Sequence, residues 1–265
     1  MVEVFTALLS RNLSVLNPTV MRNFLLTLLL FFTGISSVPA QLSIEYVANM
    51  GVLIQAGEKR ILIDGLFEPL LEDYDAPSDE RVEKLLEDSG PDKLTHVLIT
   101  HHHKDHASDK LNEKLAHRTD LFMFSPEGKM GIEESVTIDQ ELYSIQEFSF
   151  GGIPITVIRL PHVANSQKKN NCYLLEIDGL KLLHTGDANL IHLEKAFIRE
   201  LWQKADVVMI PFFELLQKKE IIDEMEWGAI IPLHYDNRIF GLDSKIEQLG
   251  FSNIHFLQKG QWKAE

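Results

Sequence analysis

The sequence predicts an α/β protein of layered build, with stacked sheets covered by helices. Three observations carry that reading. The chain opens with a run of short apolar segments that forms a β-meander. Beyond it, strand-like and helix-like segments alternate. The composition, 45% hydrophobic and 24% charged over 265 residues, is that of a globular chain. The length suits one large domain or two small ones.

The first forty residues stand apart. Residues 21–40 carry Arg22, an apolar run from Phe24 to Phe32 broken only by Thr27, and the small-residue site Val38-Pro39-Ala40. That order is the order of a secretory signal. We expect a signal peptide within residues 1–40, starting at Met21, and a folded domain over 41–265. The expected location is therefore secreted or periplasmic, with an uncleaved N-terminal membrane anchor as the alternative. The apolar run is short of the roughly 20 residues of a membrane span, so no stable membrane insertion is expected after cleavage.

The elements then follow in order. LSIEYVA (42–48) and GVLIQAG (51–57) read as a hairpin, and RILIDG (60–65) as a third strand. Asp79 to Glu87 has helical spacing, with Val82, Leu85 and Leu86 on one face and Gly90-Pro91 beyond its end. THVLIT (95–100) is a buried strand, and Ser108 to Leu115 reads as a helix. Strands are expected at 122–124, 134–138, 143–150 and 153–160, the last two joined by Gly151-Gly152. CYLLEI (172–177) and LKLLHTG (180–186) flank Asp178-Gly179, a type I′ hairpin signal. ADVVMI (205–210) and GAIIPLH (228–234) are strands, with helices near 190–203, 214–226 and 243–249. The polar stretch 163–171 reads as a solvated loop. A second reading gives its Asn165, Lys168, Lys169, Asn170 and Asn171 an anionic group to hold. Leu66 to Glu87 is a candidate flap over the site. The helix at 214–226 reads as core-facing rather than as a membrane surface, because its polar face is mixed in sign.

Composition excludes several functions. The net charge of −14 removes the bulk attraction to phosphate on which general nucleic-acid binding rests, so no nucleic-acid partner is expected. A single cysteine, Cys172, rules out an intrachain disulfide and a Cys-rich zinc module. Cys172 reads as a buried strand residue, since a nucleophilic thiol needs an activating base.

Histidine placement is the informative feature. Residues 101–106 form His-x-His-x-Asp-His at the end of a buried strand. Residues two apart on extended backbone point the same way, so His101 and His103 can grip one metal together. Asp105 and His106 fall where the chain turns toward a helix and can face a second. His102 and Lys104 should point elsewhere. His162, Asp187 and His234 each follow a predicted strand, and strands of one sheet system can bring such residues to a single edge. Imidazole and carboxylate donors without thiolate suit zinc, with manganese or iron as alternatives.

With Asp64 after an early strand, these residues resemble the signature of the metallo-β-lactamase-fold superfamily. The resemblance spans about residues 42–260. Within it, IEYVANMGVLIQAGEKRILIDG, HTGDAN and PFFEL are most similar to the branch of ascorbate-phosphate lactonases and N-acyl-phosphatidylethanolamine phospholipase D. The resemblance implies an αββα four-layer sandwich with two divalent metal ions. It assigns His101, His103 and His162 to the first ion, and Asp105, His106 and His234 to the second. Asp187 would bridge the two. Asp64 would orient a ligand histidine from behind, and His184 would border the site.

The implied chemistry is hydrolysis. Two metals roughly 3.5–4 Å apart share a water and lower its pKa toward 7. The resulting bridging hydroxide attacks a lactone, ester or phosphodiester of small-molecule size, with Asp105 or Asp187 orienting it or protonating the leaving group. Antibiotic-hydrolysing members generally lack the bridging Asp, so a true β-lactamase is not expected. Two alternatives use the same fold: a mononuclear iron oxygenase acting on sulfur substrates, and a non-enzymatic metal-binding member.

Overall fold

The structure is a computed structural model. It describes residues 41–69, 75–87, 89–115, 118, 121–125, 135–137, 141–163, 165–191, 196–235, 241–259 and 261–264. The expected signal segment at 21–40 lies outside the described residues, as do parts of the candidate flap (70–74) and of the helix expected near 190–203 (192–195).

The meander forms as expected. Strands β1 (Ser43–Ala48), β2 (Gly51–Ala56) and β3 (Lys59–Ile63) pair antiparallel in succession. Parallel strands β4 (His96–Leu98), β5 (Phe122–Ser125) and β6 (Ser135–Thr137) extend the same sheet from β3. The second sheet begins with β7 (Ile145–Phe150), β8 (Ile153–His162), β9 (Asn165–Ile177) and β10 (Leu180–His184), all antiparallel. Strands β11 (Val207–Pro211) and β12 (Ala229–Leu233) continue it in parallel. A last strand, β13 (Trp262–Lys263), returns to the first sheet beside β1. At the β9–β10 turn Asp178 and Gly179 both have positive φ (52° and 83°), the backbone that a type I′ hairpin requires.

Alternation along the strands builds the layers. Ile61 and Ile63 of β3, Leu182 of β10, and Val207 and Met209 of β11 meet in one core between the sheets. Their neighbours face outward. Leu62 packs with Leu85, Leu94, Leu111 and Leu115 on the outside of the first sheet. Leu183, Val208 and Ile230 pack with Ile198, Trp202, Leu215, Ile222 and Ile246 on the outside of the second. Because both faces of these strands are buried, they read as continuous apolar runs. The first outer layer holds α1 (Asp79–Leu85) and α2 (Asp109–Glu113), capped by Ser78 and Ser108. The other holds α3 (Ala196–Trp202), α4 (Phe212–Gln217), α5 (Lys219–Asp223) and α6 (Leu242–Glu247). The αββα order is thus present.

Two expectations need correcting. The stretch 163–171 is not a loop, because β9 begins at Asn165 and pairs with β8 up to His162. Asn170 and Asn171 are fully buried there, where backbone pairing and hydrogen bonds from their side-chain amides to the Thr185 carbonyl and the Tyr173 hydroxyl replace the water a loop would offer. The helix expected at 214–226 is two short helices. Lys218 leaves helical backbone (φ −125°, ψ 28°) between them. The candidate flap is anchored at its start, where Leu66 and Phe67 are buried and Leu66 bridges to Ala107.

Candidate metal centre

Parallel pairing aligns the carboxyl ends of β3 and β4, and this places Asp64 beside Thr100. The Asp64 amide donates to the Leu98 carbonyl (3.1 Å). Asp64 Oδ1 accepts from the Thr100 amide (2.8 Å) and Oδ2 from the Thr100 hydroxyl (2.5 Å). Oδ2 also accepts from His106 Nδ1 (2.8 Å). Nδ1 of His106 therefore carries a proton toward Asp64, and Nε2 faces into the site. The same logic orients His101. Thr100 Oγ1 spends its proton on Asp64, so at 3.0 Å it accepts from His101 Nδ1. Nε2 of His101 is left facing inward, 3.0 Å from Nδ1 of His103.

The chain turns at residues 103–107, and His103, Asp105 and His106 occupy that turn. The carbonyl of His103 accepts from the amides of His106 and Ala107 (both 3.0 Å). The other sheet supplies the rest. His162 ends β8, Asp187 follows β10, and His234 follows β12. Two donor groups result, each with its candidate atoms within 4.8 Å of one another. His101, His103, His162 and Asp187 form one, and Asp105, His106 and His234 the other. Asp187 touches both. Its Oδ2 lies 3.2 Å from His162 Nε2, 3.4 Å from each of His106 Nε2 and His234 Nε2, and 3.9 Å from His101 Nε2.

The expected non-ligands behave as such. His102 turns away to Asp109 (3.4 Å), and Lys104 is exposed. His184 is buried behind the turn that carries Asp187. Its Nε2 donates to the Met50 carbonyl (2.9 Å) and its Nδ1 accepts from the Gly186 amide (3.2 Å). It braces the turn that carries Asp187 and makes no hydrogen bond to a candidate ligand. Cys172 is buried, its thiol donates to the Thr185 carbonyl (3.2 Å), and burial pushes its pKa up.

Sequence reasoning missed Asn49, and it offered Asn170 an anionic group where the structure has it brace Asp187. Asn49, fully buried at positive φ (46°), donates through Nδ2 to the carbonyl and to Oδ2 of Asp105 (3.0 and 3.2 Å). Its own carbonyl accepts from the His234 amide (3.0 Å), so one residue ties Asp105 to His234. Asn170 accepts from the Asp187 amide (2.9 Å) and donates to the Thr185 carbonyl (2.8 Å). The signal for Asn49 was a buried-type turn, VANMG, with a polar residue at its corner.

The residues fit a metal. Among the described residues, His106 Nε2 and Asp187 Oδ1 are buried with no hydrogen-bond partner. Such atoms cost free energy unless something meets them. Burial, and next the charge of His106, hold His101 well below its ordinary pKa. Burial, with His162 and Lys168, brings His103 down to about 4. Neutral imidazole is the form that binds metal. Burial favours a protonated Asp187, yet the neighbouring His234 and His106 outweigh it and keep the carboxylate ionised. Burial likewise opposes charge on His106, but Asp187 and Asp64 overcome it and hold its pKa well above the usual value, so a metal bound there would displace a proton from Nε2.

The profile of the beta-lactamase superfamily domain matches residues 43–230, and the chain belongs to that family. A metal-dependent hydrolase of Thermococcus onnurineus is 27% identical over 195 residues, which cover 68% of this chain and 79% of that protein. Among solved structures, a metallo hydrolase from Ignicoccus hospitalis superposes with a TM-score of 0.60 at 18% identity, over 85% of this chain and 99% of that one. A diiron β-hydroxylase from Streptomyces venezuelae superposes with a TM-score of 0.58 at 14% identity, over 86% of this chain and 55% of that one. These two likenesses concern the fold.

Proposed function

We propose that this protein is a metal-dependent hydrolase that holds two divalent ions, zinc first among them. The observation that carries the reading is the pair of donor groups sharing Asp187. The first ion would lie among His101, His103 and His162, the second among Asp105, His106 and His234, with Asp187 between. When bound, such ions supply Lewis acidity and a water of lowered pKa, roughly 7. The protein supplies the rest. Thr100 and Asp64 fix which nitrogens of His101 and His106 face inward. Asn49 holds Asp105 at the mouth, where it is the most exposed carboxylate of the set (26% against 5% for Asp187). That exposure suits Asp105 to exchange a proton with a leaving group. Asp187, buried and ionised, suits the shared position.

The substrates we propose are small lactones, esters or phosphodiesters. Their electrophilic carbon or phosphorus needs no side-chain nucleophile, and Cys172 is too buried to be one. The relative from Thermococcus supports hydrolysis as the reaction class. The segment 21–40 supports a location outside the cytoplasm.

Elemental analysis of purified protein, with parallel assays on a lactone, an ester and a phosphodiester, tests the reading. Two equivalents of zinc or manganese and turnover lost on chelation are expected. One equivalent of iron with no hydrolysis would overturn it in favour of oxygen chemistry.

A further inference from the structure

We propose that His103 and Lys168 form a metal-dependent pair of donors at the rim of the centre, and that it selects substrates carrying an anionic group in addition to the group to be cleaved. The inference rests on the dinuclear hydrolase reading and narrows its substrate class.

The two nitrogens of His103 face opposite ways. Nδ1 lies 3.0 Å from His101 Nε2, toward the other donors. Nε2 lies 2.5 Å from Nζ of Lys168, which is exposed on β9. Without a metal one proton arrangement satisfies both contacts. Nδ1–H donates to His101 Nε2, and Nε2 accepts from the lysine ammonium. A metal ion among His101, His103 and His162 requires the lone pair of Nδ1. The ring proton then leaves Nδ1 and a proton is taken up at Nε2, so the imidazole stays neutral and the proton count is unchanged.

That tautomer turns Nε2 from acceptor to donor. Lys168 has no lone pair to offer it, because an ammonium is donor only. The two groups, in contact before, now each carry a hydrogen toward the other. An oxygen with negative charge between them resolves the conflict by accepting from both. Charge-assisted hydrogen bonds of this kind are among the stronger ones. A chain of net charge −14 repels anions at long range, but screening confines that effect to roughly 8–10 Å, and the local donors govern a bound ligand. The place of Lys168 also follows from the corrected reading of 163–171. It precedes Lys169, which pairs with Pro161 next to His162, and this places it at the rim.

The test compares two esters with one reacting group. Para-nitrophenyl hexanoate is neutral, and the mono-para-nitrophenyl ester of adipate adds a terminal carboxylate. On zinc-loaded protein, Lys168→Ala should raise KM for the adipate ester about tenfold or more, leave its kcat within a few-fold, and raise KM for the hexanoate ester by clearly less. Lys168→Arg should restore most of the loss. Equal effects on both esters, or none, would overturn the proposal. Calorimetric titration with phenylphosphonate, whose carbon–phosphorus bond resists hydrolysis, reads the pair without turnover. Zinc-loaded wild-type protein should bind it about tenfold more tightly than Lys168→Ala. If neither ester turns over but this difference holds, the esterase arm of the hydrolase reading fails and the donor pair stands. An unchanged Kd sinks the pair whatever the activity.

Discussion

Asp187 Oδ2 lies within 3.4 Å of three imidazole nitrogens from three separate segments, and this makes one carboxylate oxygen the geometric centre of the site. Replacing it with alanine removes the charge that His106 and His234 face. We expect Asp187→Ala to lose at least one metal equivalent by elemental analysis. Turnover should fall more than roughly 100-fold, since even groups that only support a ligand cost about 10–100-fold. Two retained equivalents with full activity would refute the shared position. Glu214 gives a second prediction at this scale. It sits buried on α4, where its Oε2 accepts from the Leu190 amide (3.3 Å) in the turn after Asp187. Burial pushes its pKa up from 4.5 to about 7. A carboxyl with a raised folded-state value binds its proton more tightly in the folded chain than in the unfolded one. Its contribution to stability is therefore full below about pH 4.5 and lost as pH rises through about 7. The amount is on the order of 3 kcal/mol. Glu214→Gln keeps the acceptor and removes the titration. Urea midpoints of wild type and variant should therefore diverge across that window, with wild type losing ground as pH rises. Parallel curves would show that Glu214 ionises normally.

At the scale of elements, what the sequence made legible was what repeats. β3, β10, β11 and β12 were readable because burial on both faces leaves unbroken apolar runs. The ligands were readable because each ends such a run. The start of β9 was not readable. Lys168, Lys169, Asn170 and Asn171 carry no apolar pattern, and they belong to a strand only because β8 and the Thr185 and Thr100 carbonyls meet their polar groups. The break at Lys218 was equally hidden, since neither glycine nor proline marks it. The turn between β10 and Asp187 shows how tightly these elements fit. Gly186 has φ 52°, and a Cβ there would lie 2.4 Å from Asn170 Oδ1 and 2.7 Å from Thr100 Cβ. Gly186→Ala therefore faces a left-handed backbone cost of roughly 1–2 kcal/mol and also pushes on the two residues that position Asp187 and His101. Lower thermal stability and weakened metal binding should appear together. A variant that loses stability but titrates zinc as wild type does would uncouple the turn from the site.

In the whole molecule, the centre lies where two sheets end side by side. His101, His103, Asp105 and His106 come from the loop after β4 of the first sheet, and His162, Asp187 and His234 from strand ends of the second. Among the described residues, protein contacts already cross at this edge, as when the His234 amide reaches the Asn49 carbonyl and His184 reaches Met50. The proposed ions would add bonds across the same gap, so their binding free energy is folding free energy for the joined sheets. A ligand at about 1,000 times its Kd stabilises the folded state by roughly 4 kcal/mol, which for a chain of this size raises the thermal midpoint by roughly 8–16 °C. Chelation should lower the midpoint by that amount, and zinc should restore it. Hydrogen exchange locates the change. Without metal, the amides of 101–106 and 185–190 should exchange faster, while those of β2 and β11, deep in their sheets, should not. An unchanged midpoint after complete loss of metal would mean that the ions bind elsewhere and that the sheets are held by their apolar core alone. Faster exchange in only one sheet would mean that the ions serve that sheet and do not bridge the two.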